Sequence, residues 1–196
     1  MPSLLTTLHK AAKAVYNEYK DKIEDIILLG SFMKGKEDPE DIDVLIIFKE
    51  QVDKPVESAL KKALHLNNLD LNSITLQELE GDGFIAKEGV YLEGFSLLRN
   101  APVSSRLGFY SVAFLCYNLS SLKGSARVRF YYALQGRGVA PGFLKTLQAA
   151  RYSDNIILCA YGEIEKLKSF FEQWKIPYVT TPALIPKRLK QVLLGK

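Results

Sequence analysis

The sequence predicts a mixed α/β fold, an α+β arrangement with helices over a mixed sheet, followed by a smaller basic α/β unit. Three observations carry that reading. Compact apolar runs of β type, Ile26-Ile27-Leu28-Leu29 and Val44-Leu45-Ile46-Ile47-Phe48, alternate with stretches of helical periodicity. The 196 residues are 47% hydrophobic, enough to bury a substantial core. Composition and charge both change between Arg99 and Arg106, where Pro102 and two serines suggest a linker.

Along the chain, Ser3 reads as an N-cap, and Leu4, Leu5, Leu8, Ala11, Ala12, Val15 and Tyr19 form one apolar stripe of a helix ending near Lys20. The first apolar strand follows, then a short helix and the strand ending at Phe48. Pro55 fits the first turn of a helix that carries Val56, Leu60, Ala63 and Leu64. Leu69-Asp70-Leu71 opens a third strand running to Ile74, with a short helix over Thr75 to Leu79. This order of helix, strand, short helix, strand, helix and strand defines a first domain over residues 1–98.

A second domain is expected over residues 107–196. It reads as a strand (Phe109 to Tyr117), a helix (Ser125 to Leu134), a turn (Gly136-Arg137-Gly138), a helix (Phe143 to Ala150), a strand (Asn155 to Ala160), a helix (Glu163 to Trp174) and a strand (Tyr178 to Thr180). The Gly136 turn also suits a plain helix ending. The tail from Pro186 to Leu194 reads as a short basic amphipathic helix, with Leu189, Val192 and Leu193 packing on the protein.

The chemistry concentrates in Gly30-Ser31-Phe32-Met33-Lys34-Gly35, followed by Asp41-Ile42-Asp43. Asp41 and Asp43 are two apart, and in a strand such positions share a face, so their carboxylates can converge on cations. Hard oxygen ligands of this kind suit Mg²⁺ or Mn²⁺. The Gly30-Ser31 turn at a strand end offers backbone N–H groups and a hydroxyl to phosphate oxygens. Asp38-Pro39-Glu40-Asp41 is also rich in turn formers, and a solvated turn is the plainer reading of any single piece. The conjunction of turn, paired acids, flanking strands and a downstream Asp70 favours the metal site.

The tract from Ile23 to Phe48 resembles the nucleotidyltransferase signature of the DNA polymerase beta superfamily, nearest to its minimal nucleotidyltransferase branch. The strand of Asp70 is similar to that family's third-carboxylate strand, and Phe84 to Leu92 to a segment that closes many minimal members. The likeness reaches about Leu92 and leaves the second half unrecognised. Two departures stand out: Lys34 where the family often has Arg, and Glu40 where it often has Ser. Lys neutralises phosphate as a point charge, without the bidentate fork of Arg.

The resemblance implies a metal-dependent nucleotidyltransferase. A nucleoside triphosphate such as ATP would lie over Gly30 and Ser31, its charge shared by Lys34 and one Mg²⁺ (or Mn²⁺) on Asp41 and Asp43. A second ion would sit on Asp41, Asp43 and Asp70, with Asp70 taking the acceptor hydroxyl's proton. The product would be a nucleoside monophosphate joined to a nucleic-acid or protein hydroxyl, with loss of pyrophosphate. The alternative is a non-catalytic nucleotide- or nucleic-acid-binding module, or an antitoxin-like partner of a helical toxin protein.

The net charge of +4 conceals an asymmetry. Residues 1–98 hold 11 Lys and Arg against 18 Asp and Glu, whereas residues 99–196 hold 15 against 4. The second half therefore favours a polyanionic partner, with a protein partner also compatible. Within it, Lys123, Arg127, Arg129, Arg137, Lys145 and Arg151 are interleaved with Phe130, Tyr131, Tyr132 and Phe143, a mix that suits a stacked, charged strand of nucleic acid and more often a solvated face over a core. Cys116 and Cys159 lack a zinc spacing and read as buried reduced thiols, and His9 and His65 as structural or surface residues. No apolar run approaches the roughly 20 residues of a membrane span and no signal peptide is recognised, so a cytoplasmic protein is expected.

Overall fold

The computed structural model describes residues 2–30, 33–34 and 40–194. The chain divides into two compact units, Met1–Leu107 and Gly108–Lys196.

The first unit runs α1 (Pro2–Tyr19), β1 (Ile23–Leu28), β2 (Ile42–Phe48), α2 (Lys54–Leu64), β3 (Leu69–Thr75), α3 (Leu76–Glu80), α4 (Lys87–Glu93), β4 (Phe95–Ser96), β5 (Ala101–Pro102) and α5 (Val103–Arg106). Its sheet has the order β3-β2-β1-β4-β5. Among the described strands of this sheet only β2 and β3 pair in parallel, because α2 carries the chain back to the start of the sheet. Both faces are covered, which is why β1 and β2 read as continuous apolar runs. Ile26, Leu28, Val44, Ile46 and Phe48 face Leu8, Ala12 and Val15 of α1 and Val56, Leu60 and Leu64 of α2. Ile27, Leu45 and Ile47 face Leu79 of α3, Val90 of α4 and Val103 of α5.

Local chemistry sets the helix ends. Asp53 caps α2 by accepting from the Val56 N–H at 3.2 Å, and His65 ends it in the left-handed region at φ 49°. Thr75 and Glu78 form a reciprocal capping box at the start of α3. The short helix expected before β2 falls between Gly30 and Asp41, where residues 31–32 and 35–39 lie outside those described. Residues Arg99 to Arg106, read as a linker, instead carry β5 and α5 and bury Ser104 within the first unit. Pro and Ser marked local turns there, and these turns are anchored by partners far away in sequence.

The second unit runs β6 (Phe109–Tyr117), α6 (Ser125–Gln135), β7 (Gly136–Arg137), β8 (Ala140–Pro141), a 3₁₀ turn (Phe143–Thr146), β9 (Ala149–Ser153), β10 (Ile156–Ala160), a 3₁₀ turn (Tyr161–Glu163), α7 (Ile164–Gln173), β11 (Tyr178–Pro186), a 3₁₀ turn (Lys187–Leu189) and α8 (Lys190–Leu194). An antiparallel sheet of order β11-β6-β10-β9 packs Leu115, Ile157 and Cys159 against Phe130 and Leu134 of α6 and Leu167 and Phe171 of α7. Burial pushes the Cys159 thiol up to about 12, so it stays protonated and inert.

Two elements differ from expectation and one agrees; in the first two, strand pairing overrides local preference. The helix expected over Phe143 to Ala150 is a single 3₁₀ turn followed by β9, which β10 recruits as an edge strand. The strand expected over Tyr178 to Thr180 continues to Pro186 along the whole of β6. Gly136 does end α6, and the chain then folds into the β7–β8 hairpin. In the tail, Leu193 and Leu194 pack on Val112, Leu158 and Ile185, whereas Leu189 and Val192 are exposed. Among the described residues no helix is long and apolar enough to cross a membrane.

Candidate functional site

Parallel pairing of β2 with β3 makes Asp43 and Asp70 register partners. Alternation along each strand then places Asp41, Asp43 and Asp70 on the sheet face that carries α3 and α4. Asp41 and Asp70 are exposed, and Asp43 between them is half-buried. Burial pushes the Asp43 carboxyl above its ordinary range; the negative charges of Asp41, Asp70 and Glu93 push it further, and Lys34 opposes them. The three predicted acids thus form one electrostatic unit.

Gly30 belongs to the same cluster. Its φ is +77°, and a Cβ built there would lie 1.8 Å from Asp43 Oδ2. Only glycine permits that left-handed turn and that approach of backbone to carboxylate. The turn is held by the Met33 N–H donating to the Gly30 carbonyl at 3.2 Å and the Leu29 N–H donating to the Asp43 carbonyl at 2.9 Å. Ser31 lies outside the described residues.

Lys34 Nζ sits 3.1 Å from Glu93 Oε2 at the end of α4, so the cation expected to meet phosphate is held by an acid that sequence reading did not single out. Only its place one residue beyond the closing segment Phe84 to Leu92 hinted at Glu93. Glu40, the other departure, lends its backbone carbonyl to Asn68 Nδ2 at 2.9 Å, which ties the approach to Asp41 to the start of β3.

Among the described residues no group of three or more His, Cys, Asp or Glu side chains is gathered tightly enough to hold a metal ion. The donor set at Asp41, Asp43 and Asp70 nonetheless fits a hard divalent cation. All three are oxygen donors, two of them are exposed, and their mutual repulsion at Asp43 is what a bound cation would relieve.

A fourth carboxylate on the same face, Asp25, gives no signal in the sequence. It is 1% exposed and accepts from the Ile26 N–H at 2.9 Å and Ser96 Oγ at 2.7 Å, while Arg99 and Arg106 pair with its other oxygen. Burial raises its carboxyl above the ordinary value, and Ser96 and Arg99 pull it back. Asp25 pairs with Ile47 and Leu28 with Val44, so Asp25 and Asp43 lie toward opposite ends of the β1–β2 ladder.

In the second unit, Lys123, Arg127, Arg129 and Arg137 are exposed on or beside α6. The Arg137 guanidinium lies over the Tyr132 ring at 4.9 Å.

No curated protein matches the chain. A solved structure described as the crystal structure of a toxin–antitoxin with AMP-PNP is similar over 50% of this chain and 78% of that one, at 19% identity and a TM-score of 0.37. The model of the family of unknown function DUF6932 matches residues 3–104, more than half of the chain, and the protein belongs to that family.

Proposed function

We propose that the protein is a metal-dependent nucleotidyltransferase of the DNA polymerase beta type. The observation that carries this reading is the convergence, on one sheet face, of Asp43 and its register partner Asp70 with Asp41, against the left-handed turn at Gly30. Asp41, Asp43 and Asp70 would hold two Mg²⁺ or Mn²⁺ ions, which when bound neutralise the charge on the triphosphate and on the leaving pyrophosphate.

The chain's own groups divide the remaining work. Glycine at position 30 lets the Asp43 carboxylate lie against the backbone of the turn, since a Cβ there would meet Asp43 Oδ2 at 1.8 Å. Lys34 supplies a positive charge at the same turn and exchanges Glu93 for phosphate when nucleotide arrives. Asp70, exposed at the strand edge, accepts the proton of the acceptor hydroxyl. That oxygen then bonds to the α-phosphorus, and pyrophosphate leaves with the electrons of the broken P–O bond.

Incubation with each α-labelled nucleoside triphosphate, Mg²⁺, total RNA and cell extract tests the reading. Label is expected to pass to RNA or protein with the native chain and to be lost with Asp43→Ala, whose fold is retained. Transfer that survives Asp43→Ala overturns the site, and nucleotide binding without any transfer would make the protein a holding module.

A further inference from the structure

We infer that the second unit binds single-stranded nucleic acid in a groove that passes Arg127 and Tyr131, rounds Arg151 and continues to Lys145 and Lys190. The inference stands independently of the transferase reading, since it concerns other residues and needs no metal.

Charge is the first argument. No Asp or Glu occurs between Glu93 and Asp154, and within the second unit that acid-free stretch carries Lys123, Arg127, Arg129, Arg137, Lys145 and Arg151. All six are exposed. Folding returns some of them to one place although they are scattered in sequence. A cavity of about 390 Å³ is lined by Arg127, Tyr131 and Arg151 together with Asn118 and Asn155. A larger, open hollow of about 1080 Å³ is lined by Lys145, Gln148, Arg151 and Lys190. Arg151 belongs to both, so the two hollows meet at β9, the edge strand of the sheet.

The chemistry of the lining selects the occupant. Spaced cations suit successive phosphates, and Tyr131, half-buried and steadied against Phe130 at 5.9 Å, offers a ring on which a base can stack. Asn118 and Asn155 can meet base edges. The smaller cavity falls in the range of about 300–1,000 Å³ that takes a small ligand, room for a splayed nucleotide but not for a duplex. A lipid surface would need a convex face, whereas these cations line hollows. Acids near the groove do not close it. Asp154 pairs with Arg151 at 2.5 Å but is fully exposed, an ion pair of the weak kind that phosphate displaces. Glu163 is engaged by Lys166 at 3.0 Å.

The test is fluorescence anisotropy in EDTA with a labelled strand of about 12 nucleotides, within the usual span of such sites. The same sequence as a duplex and vesicles containing phosphatidylserine serve as comparisons. The strand is expected to bind at least tenfold tighter than the duplex. The double variant Arg127→Gln/Arg151→Gln should lose about tenfold or more in affinity and flatten the salt dependence by about 1.4, the equivalent of two phosphates at about 0.7 each. Tyr131→Leu should weaken binding with the salt slope unchanged, and Lys10→Gln/Lys13→Gln on α1 should change nothing. Failure of the strand to bind, binding untouched by the double variant in a chain with a native melting curve, or stronger binding to vesicles than to the strand would each overturn the inference. Binding should persist in Asp43→Asn, so failure here and failure of the transferase reading are separable.

Discussion

Asp25 and Asp43 stand on neighbouring strands and on the same face of the first sheet, yet they meet opposite company. Asp25 is sealed from water and surrounded by donors: a backbone N–H, a hydroxyl and two guanidinium groups. Asp43 is half-open and surrounded mainly by acids, with one lysine as counterweight. Both carboxyls are pushed up, Asp25 by burial alone and Asp43 by burial and its neighbours' charge. The first arrangement is self-contained, and removing a partner can only harm it. The second stores repulsion that folding does not require, as the metal site proposed above would.

The sharpest way to break this comparison is Asp25→Ala. Removing one partner of a buried ion pair costs about 3–5 kcal/mol, and because Arg99 and Arg106 are partly exposed and can rehydrate we expect about 2–3 kcal/mol, read as a lower urea midpoint. A loss below about 0.5 kcal/mol, the range of ordinary surface changes, would show that Asp25 is not the anchor described.

A smaller effect is expected at Gly30→Ala. The left-handed conformation costs a non-glycine residue about 1–2 kcal/mol, and the new methyl group must displace the Asp43 carboxylate. Nucleotide binding in Mg²⁺ should fall far more than stability does. Unchanged binding would separate Gly30 from the acid cluster.

The smallest stability change belongs to Asp43→Asn, and its sign is opposite to that at Asp25. A carboxyl raised in the folded state holds its proton more tightly there than in the unfolded chain. Its ionised form therefore costs stability at neutral pH, and that cost is relieved as pH falls through the folded value. The amide should leave the metal-free protein as stable as before, or more so, near neutrality. It should also remove this part of the pH dependence between the folded value and the ordinary Asp value, seen in thermal melts without metal. Destabilisation at pH 7 would place Asp43 in the same structural class as Asp25.

How much of this was legible in the chain depends on how far apart the interacting residues lie. The pair Asp41 and Asp43 and the Gly30 turn were readable because strand alternation and a glycine beside a strand end act over a few residues. Asp70 was readable from its position at the head of an apolar strand, although its alignment with Asp43 needed the parallel ladder. Asp25 was not, for an acid inside an apolar run gives no sign of Arg99 and Arg106, which lie 74 and 81 residues away. Glu93 was missed for the same reason. In the second unit the expected helix over Phe143 to Ala150 takes in Ala149 and Ala150, the head of β9, because alanine favours helix locally, and only the ladder with β10 makes them strand.

Local pattern thus determined α1 to α3 and β1 to β3 of the first unit, the mixed α/β class, the acid pair beside a glycine turn and the basic character of the second half. Periodicity, capping and net charge are properties of adjacent residues or of simple counts. Tertiary structure decided the pairing of Asp25 with two arginines, the engagement of Lys34 by Glu93, the edge strand β9 and the meeting of Arg127 with Arg151. Each of these joins residues whose approach depends on sheet order and helix docking, and the free energy that selects those comes from burying the two cores rather than from any short segment.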